Sequence, residues 1–370
     1  MSVNDLLLIL PALATAFIIC FAAMPAIIRV AEIKQLIDAP DHIRKFHGKM
    51  MPTLGGIGIF AAFIISFSVW GQASALASYP FFIAGLFMLF LVGVKDDLLL
   101  MDPLKKFVVQ ITAALVLVVG GGVVLTDFGG LFGLGEIPWL AGVVLSVFIM
   151  VAIVNSFNLI DGIDGLAGGI GVIVSGILGI WFWGAGFMSL ALLSFTLSGA
   201  LLGFLSFNMH PAKIFMGDTG AMAVGFILGF LALEFMTLNV ALAGEAWHVA
   251  NGHVFAVAIL IVPVIDTLRV AVLRSLNGKS PFAADYNHTH HKLVETGMSH
   301  LFASFSLWIA NFIIIGIAFG ISYLEPNIQL ALILATGLLI LPSIRLVYYS
   351  RLRIALERSR KKASTAFDLH

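Results

Sequence analysis

Charge is what this sequence has least of. Of its 370 residues only 11% are Asp, Glu, Lys or Arg, against 60% apolar, and the mean hydropathy is +1.07. A water-soluble domain of this length needs far more charge to cover its surface. Cysteine is almost absent: Cys20 stands alone inside the first apolar run, which excludes an intrachain disulfide and leaves it the role of a small side chain facing lipid or a neighbouring helix. The chain also lacks a GxxxxGK[ST] loop, an HExxH pair and a GxGxxG turn, so P-loop ATPase, zincin and Rossmann readings have no foothold. No basic stretch precedes the first apolar run, which begins near Leu6 and is too long for a signal-peptide core; it reads as a retained first span.

Present in abundance are apolar runs of about 20 residues, the length of a helix that crosses a bilayer core. Broken at clusters of charge, Gly, Pro and Asn, they predict an all-α polytopic transmembrane bundle of about eleven spans, over 5–28, 53–71, 79–95, 104–125, 137–155, 166–186, 188–206, 219–238, 254–273, 302–322 and 327–348. The 186–188 junction is tight enough that a single kinked or re-entrant helix is the alternative there. Residues 1–350 form one integral-membrane domain and 351–370 a basic tail.

With that segmentation all 20 Lys and Arg residues fall on one side: Arg29 to Lys49 after the first span, Lys95, Lys105 and Lys106 around the loop after the third, Lys213 after the seventh, Arg269 to Lys292 after the ninth, and Arg345 to Lys362 at the end. The opposite loops carry acids such as Asp127, Glu136, Glu245 and Glu325. The positive-inside rule then places the N-terminus outside and the C-terminus in the cytoplasm. The basic stretch Arg351–Lys362 serves as a topology anchor beside the anionic leaflet.

Four polar clusters lie on the basic side, where acidic groups at the edge of hydrocarbon are costly enough to suggest function. Lys95-Asp96-Asp97 ends the third span and is followed by Asp102, Lys105 and Lys106; adjacent carboxylates call for a cation or a proton between them. Asn155, Asn158, Asp161 and Asp164 recur every third residue, a spacing that sweeps round a helix, and Gly162, Gly165, Gly168 and Gly169 suggest that the segment leaves helix to wrap a ligand. Phe215-Met-Gly217-Asp218-Thr-Gly220 opens the eighth span, with Asp218 where an N-cap would sit or where a carboxylate could hold Mg²⁺ beside a phosphate. Asp266, Arg269, Arg274, Asp285 and the tract His288-Thr-His290-His291 follow the ninth span; with Arg and Lys around it, that tract suits phosphate better than zinc. Carboxylates for hard cations, cations for phosphates and glycine turns together make a phosphoryl-transfer inventory. A transporter would instead place its polar groups near span centres in two related halves.

The four clusters in this order resemble the polyprenyl-phosphate N-acetylhexosamine-1-phosphate transferase family, over about Arg44 to Lys292. Arg44-Lys45-Phe-His47, Pro52-Thr-Leu-Gly55-Gly56-Ile57 and Ser280-Pro-Phe-Ala-Ala-Asp285 before the His tract look like its GlcNAc-1-phosphate branch. The muramoyl-pentapeptide branch carries a lysine shortly after its Asp pair, where this chain has Leu98, Leu99 and Leu100. The resemblance implies that Asn158 and Asp218 coordinate Mg²⁺ (with Mn²⁺ as an alternative), and that Phe215 stacks on uracil while Asp164 helps read its edge. It further implies that Lys106, His288, His290 and His291 contact phosphates, Asn155 binds substrate, Asp96 and Asp97 face the polyprenyl phosphate, and Asp161 supports the metal site.

The reaction so implied joins UDP-GlcNAc to undecaprenyl phosphate, giving undecaprenyl-diphospho-GlcNAc and UMP, at the cytoplasmic face of a bacterial inner membrane. UDP-GalNAc, another UDP-aminosugar or UDP-MurNAc-pentapeptide are the alternative donors. Membrane lipids are the expected partners and a homodimer is compatible, whereas no nucleic-acid partner is expected.

Overall fold

The computed structural model describes residues 3–36, 51–71, 79–276, 293–294 and 297–367. The described chain is helical: α1 Val3–Lys34, α2 Gly55–Trp70, α3 Pro80–Leu98, α4 Pro103–Leu115, α5 Trp139–Ile160, α6 Leu166–Gly184, α7 Met188–Asn208, α8 Gly217–Ala241, α9 Gly252–Ile259, α10 Ile261–Leu276, α11 His300–Gly320 and α12 Pro326–Phe367. Among the described residues β pairing is confined to the isolated bridge Asp127–Glu136. Helix is found in each predicted apolar segment, though the fourth, 104–125, leaves it after Gly120, and eight helices are long and apolar enough to cross a bilayer, or nine if the bent pair α9–α10 is one span. Outside that set fall α2, with only 16 residues, and α3, whose last turn carries Lys95, Asp96 and Asp97.

The bent segment is the clearest departure from the sequence expectation. The stretch 254–273 is two helices meeting at 80° rather than one span. Pro263 has no N–H to offer the carbonyl of Ile259 one turn before it, and its ring crowds that turn, so the helix breaks. The freed Ile259 carbonyl accepts a hydrogen bond from Asn311 Nδ2 on α11, 3.2 Å away, which is how a broken helix survives inside a bilayer. The tight 186–188 junction, in contrast, separates two complete helices, because Gly186 takes φ +87° and lets the chain reverse within the turn.

Helix α8 is the axis of the bundle, with 83% of its most apolar window buried, against 12% for α12. It packs on α2, α3, α5 and α6, while α1 lies against α7 and α2 on one flank and α11 joins α6 and α9 on the other. Small residues allow this density, as they do where helices pack without a hydrophobic drive between them. Gly199 and Gly203, four apart on α7, sit against the carbonyls of Leu13 and Phe17 on α1 and against Cys20, which is fully buried.

Polar residues concentrate at the two ends of the bundle. One end holds the last turns of α3 and α5 and the first turns of α4, α8 and α11, with the basic residues. At the other end His253 Nε2 lies 2.8 Å from the carbonyl of Asp127, and Asn251 Nδ2 donates to Gln329 Oε1 at 2.7 Å.

Candidate active site

The centre of the first end is Lys106. Asp102 starts α4 by accepting the Leu104 amide at 2.8 Å, with Pro103 in the first turn, and this sets the next turn of α4 facing α3 and α8. From there Lys106 Nζ donates to Asp96 Oδ2 at 2.9 Å and, on its other side, to Asp218 Oδ1. Both sides of the contact are largely withdrawn from water, with side-chain exposures of 15% for Lys106 and 9% for Asp96. Asp96 Oδ1 also accepts the Met101 amide at 2.7 Å, which closes the turn between α3 and α4.

Asp97 does different work from its neighbour. Its Oδ1 accepts the Asp218 amide at 2.8 Å, and its Oδ2 accepts the Thr219 amide at 3.0 Å and the Thr219 hydroxyl. These are the orphan donors at the start of α8, so a carboxylate from α3 caps that helix from outside. The N-capping role open to Asp218 in the sequence is therefore filled by Asp97. Asp218 sits in the first turn of α8 with its carboxylate turned to Lys106.

Glycine makes the approach feasible. Gly217 has φ +72°, and a Cβ there would lie 1.9 Å from the Thr53 carbonyl and 2.8 Å from Asp97 Oδ1. A Cβ on Gly93 would meet Thr219 Cα at 2.4 Å. The segment before α2 locks onto the same place: Phe215 donates its amide to the Pro52 carbonyl at 2.8 Å, and Gly55 and Gly56 donate theirs to the carbonyls of Phe215 and Met216 at 3.0 and 2.8 Å.

The predicted Asn/Asp segment leaves helix later than expected. Asn155 and Asn158 are still on α5, one turn apart; the Asn155 amide group donates to the Val151 carbonyl at 2.8 Å and to Gln110 Oε1 at 2.7 Å, which keeps that turn helical. Only at Asp161 does the chain turn, and Gly165 at φ +78° starts α6. Asp161 Oδ2 accepts the Gly217 amide at 3.2 Å, which ties the end of α5 to the start of α8 and brings Asn158 to the same end of the bundle as Asp218. Asp164 is buried and faces another way: its Oδ2 lies 2.7 Å from His210 Nδ1 and accepts the Ala212 amide at 3.2 Å, and its Oδ1 lies 3.1 Å from His300 Nδ1. Burial opposes ionisation of Asp164, but the His300 and His210 imidazoles and the Ala212 amide outweigh it and hold the carboxyl below the usual range.

Asp96, Asp97, Lys106, Asp161 and Asp218 are thus brought into one connected set, with Asn155 joined to it through α4 and Phe215 through the backbone before α8. Asp164 belongs to a neighbouring cluster. His288, His290 and His291, with Arg44, Lys45 and His47, lie outside the described residues. Sequence reasoning passed over Gln110, which is buried one turn beyond Lys106 and aligns the Asn155 amide. An uncharged polar residue four positions from a site lysine in an apolar helix was the available signal. It also passed over His210 and His300, which nothing local sets apart from surface histidines.

A donor set of carboxylate and amide oxygens is the kind that takes hard divalent cations, and Asp218 and Asn158 fit Mg²⁺ on that ground. The position of Lys106, with its ammonium between two carboxylates, shows that this pocket requires positive charge.

Apolar helices whose charge gathers mostly toward one end of the bundle, around a cluster of this chemistry, define a multi-pass membrane transferase. The model of Glycosyl transferase family 4 matches residues 79–236, from the first residues before α3 to near the end of α8. A probable undecaprenyl-phosphate N-acetylglucosaminyl 1-phosphate transferase of Bacillus subtilis is 32% identical over 295 residues, 78% of each chain. A decaprenyl-phosphate N-acetylglucosaminephosphotransferase of Mycolicibacterium smegmatis is 31% identical over 85% of this chain and 82% of its own. An undecaprenyl-phosphate alpha-N-acetylglucosaminyl 1-phosphate transferase of Escherichia coli O157:H7 is 30% identical over 84% of both. The chain belongs to the polyprenyl-phosphate N-acetylhexosamine-1-phosphate transferase family.

Proposed function

We propose that the protein transfers GlcNAc-1-phosphate from UDP-GlcNAc to undecaprenyl phosphate, releasing UMP, at the cytoplasmic face of a bacterial inner membrane, and so initiates a cell-envelope glycan. The observation that carries this reading is Lys106 held between Asp96 and Asp218, residues from three helices, directly beside a helix N-terminus whose amides are ordered by Asp97. The relatives named above act on a polyprenyl phosphate and an N-acetylglucosaminyl phosphate, in agreement with it.

In this reading an oxygen of the lipid phosphate attacks the β-phosphorus of the donor, the bond from that phosphorus to the bridging oxygen breaks, and UMP leaves with the electron pair. Two anions must be brought together, so neutralising charge is the main task of the site. Asp218 and Asn158 would hold Mg²⁺, which when bound would supply positive charge to screen the pyrophosphate. Lys106 supplies a fixed positive charge beside it and, once substrate phosphates arrive, can exchange a carboxylate for a phosphate oxygen. The acceptor needs little help from a base: the second pKa of a phosphate monoester is about 6, so it is mostly ionised at neutral pH. Asp96 accordingly orients Lys106 and the acceptor more than it removes a proton. Phe215 stacks on uracil, Asn155 binds substrate, and the His288–His291 tract receives phosphate.

An apolar groove lined by Ile160, Leu166, Ile261, Val262, Ile265 and Leu307 runs beside the α5–α6 turn, with Asp266 and Arg269 along it. It suits the prenyl tail, since extraction of that tail to water would cost about 0.8 kcal/mol per CH₂. The test is a UMP-release assay on detergent-purified full chain with a panel of UDP-sugars. Release with UDP-GlcNAc that needs both undecaprenyl phosphate and Mg²⁺ is expected, and Asp218→Asn should lower kcat by at least roughly 100-fold. A protein that turns over no UDP-N-acetylhexosamine would overturn the reading, and preference for another UDP-aminosugar would replace the donor.

A further inference from the structure

Glu234 is a carboxylate that the site at Lys106 does not use. It lies within α8, inside the candidate span Gly217–Ala241, and roughly 24 Å along the helix from Asp218. It is half-buried, and no described residue gives it a hydrogen bond or an opposite charge. A carboxylate held this way at membrane depth is costly, and such groups mark sites. Residues 50–94, 107–212 and 214–268 contain no Lys or Arg, and His248 and His253 are engaged by the carbonyls of Asn239 and Asp127. A positive charge for Glu234 therefore has to come from outside the chain.

One turn before Glu234, Phe230 walls an open cleft of about 240 Å³. Tyr79, Phe81 and Phe82 at the start of α3 form a second side, and Gly120 and Gly121, beyond α4, a third. Glu234 acts electrostatically on the Tyr79 hydroxyl, which puts the carboxylate at this cleft. A single water needs only roughly 10–15 Å³, so the space suits a larger group. We propose that the cleft binds the ammonium head group of a membrane lipid, with Glu234 as its counter-charge.

Each side of the cleft favours a cation. The Tyr79 ring meets Phe230 edge-on at 5.5 Å and Phe82 lies 4.5 Å from Phe230, which makes one connected aromatic wall. Aromatic faces attract ammonium groups, most strongly where water is excluded. Helix α4 runs on into a π turn, Val116–Gly120, and the Gly121 amide closes on the Leu117 carbonyl at 2.9 Å. The carbonyls of that last turn form the negative end of the helix. A hard metal ion needs several oxygen ligands, whereas a single carboxylate among aromatic rings suits an organic cation. Phe81 and Val119 are exposed on the flank of the bundle, so a lipid can enter from the side and keep its tails in hydrocarbon. The helices around the cleft, α3, α4 and α8, are the three that join Asp96, Lys106 and Asp218 at their opposite ends. A bound head group thus clamps the far ends of the same three helices.

The test uses full chain in detergent micelles doped with phosphatidylethanolamine, phosphatidylglycerol or diacylglycerol, with free ethanolamine as a further arm. Native mass spectrometry reads lipid retention, and thermal unfolding reads Tm. Phosphatidylethanolamine should be retained singly and raise Tm, and the other two lipids should do neither. Glu234→Gln keeps the shape of the side chain and removes its charge, so it should weaken retention at least roughly 10-fold. Tyr79→Leu should weaken it as well, because it removes an aromatic face. Glu245→Gln, at an exposed acid of the same end, should bind as wild type does. Equal retention of phosphatidylethanolamine and phosphatidylglycerol, or an equal loss in Glu245→Gln, overturns the proposal. So does retention undiminished in Glu234→Gln or, should that variant not fold, in Tyr79→Leu. Ethanolamine alone raising Tm as far as the lipid does would overturn the lipid as the source of the ammonium. Retention and Tm are read without turnover, so this site and the proposed transferase reaction fail separately.

Discussion

Asp96 and Asp97 are adjacent in sequence and nearly identical in chemistry, yet they face different partners. Asp96 spans the Met101 amide and Lys106, whereas Asp97 spends both oxygens on the amides and hydroxyl that open α8. Isosteric amides should therefore separate the two. Asp97→Asn puts an NH₂ against backbone donors and removes a charged cap, which should cost about 1–2 kcal/mol of stability, seen as a lower Tm, together with activity. Asp96→Asn keeps an oxygen for Met101 and loses charge toward Lys106 and Asp218, so its Tm should stay near wild type while kcat falls. Thermal unfolding in detergent, paired with UMP release, reads both; equal Tm losses in the two variants would contradict the division. The pair itself was plain in the sequence. Its division of labour was not, because the Lys106–Asp218 and Asp97–Asp218 contacts join positions 112 and 121 residues apart.

At the level of elements, the helices were legible because hydrocarbon length and hydropathy leave few alternatives. What those signals cannot carry is how closely helices approach, and the site depends on that. Gly217 occupies a left-handed conformation with the Thr53 carbonyl where a Cβ would be, and Gly56 would drive a Cβ to 2.1 Å from the Gly220 nitrogen. The break at Pro263 was readable in principle from the proline alone, but its compensation by Asn311, 52 residues beyond the Ile259 carbonyl it serves, was not. Gly217→Ala should therefore destabilise by at least about 2 kcal/mol, from left-handed strain plus a backbone clash, and should abolish activity even where protein is recovered. Gly176, within α6 and with nothing near its Cβ position, is the matched control: Gly176→Ala should be neutral or stabilise by about 0.5–1 kcal/mol. If Gly217→Ala folds and turns over like Gly176→Ala, close approach is not what shapes the site.

For the molecule as a whole, the segregation of charge makes an orientation argument that no single helix could make. At the described site end lie Arg29, Lys34, Lys95, Lys105, Lys106 and Lys213, while Asp127, Glu136, Glu245 and Glu325 occupy the other. The membrane prefers basic loops in the cytoplasm, the face on which the proposed nucleotide donor would be met, so the charge pattern and the proposed chemistry agree. Because Cys20 is fully buried, the chain is nearly a cysteine-free background for labelling. Lys105→Cys, exposed at the site end, should react with a membrane-impermeant maleimide only after cells are opened. Gly135→Cys, exposed in the turn beside the Asp127–Glu136 bridge, should react in intact cells. The reverse pattern would put Lys106 and its carboxylates on the outer face, away from the nucleotide sugar, and would remove the proposed donor. Labelling of both in intact cells would instead show that the chain does not cross the membrane between them, where Pro103–Gly120 is the one candidate span.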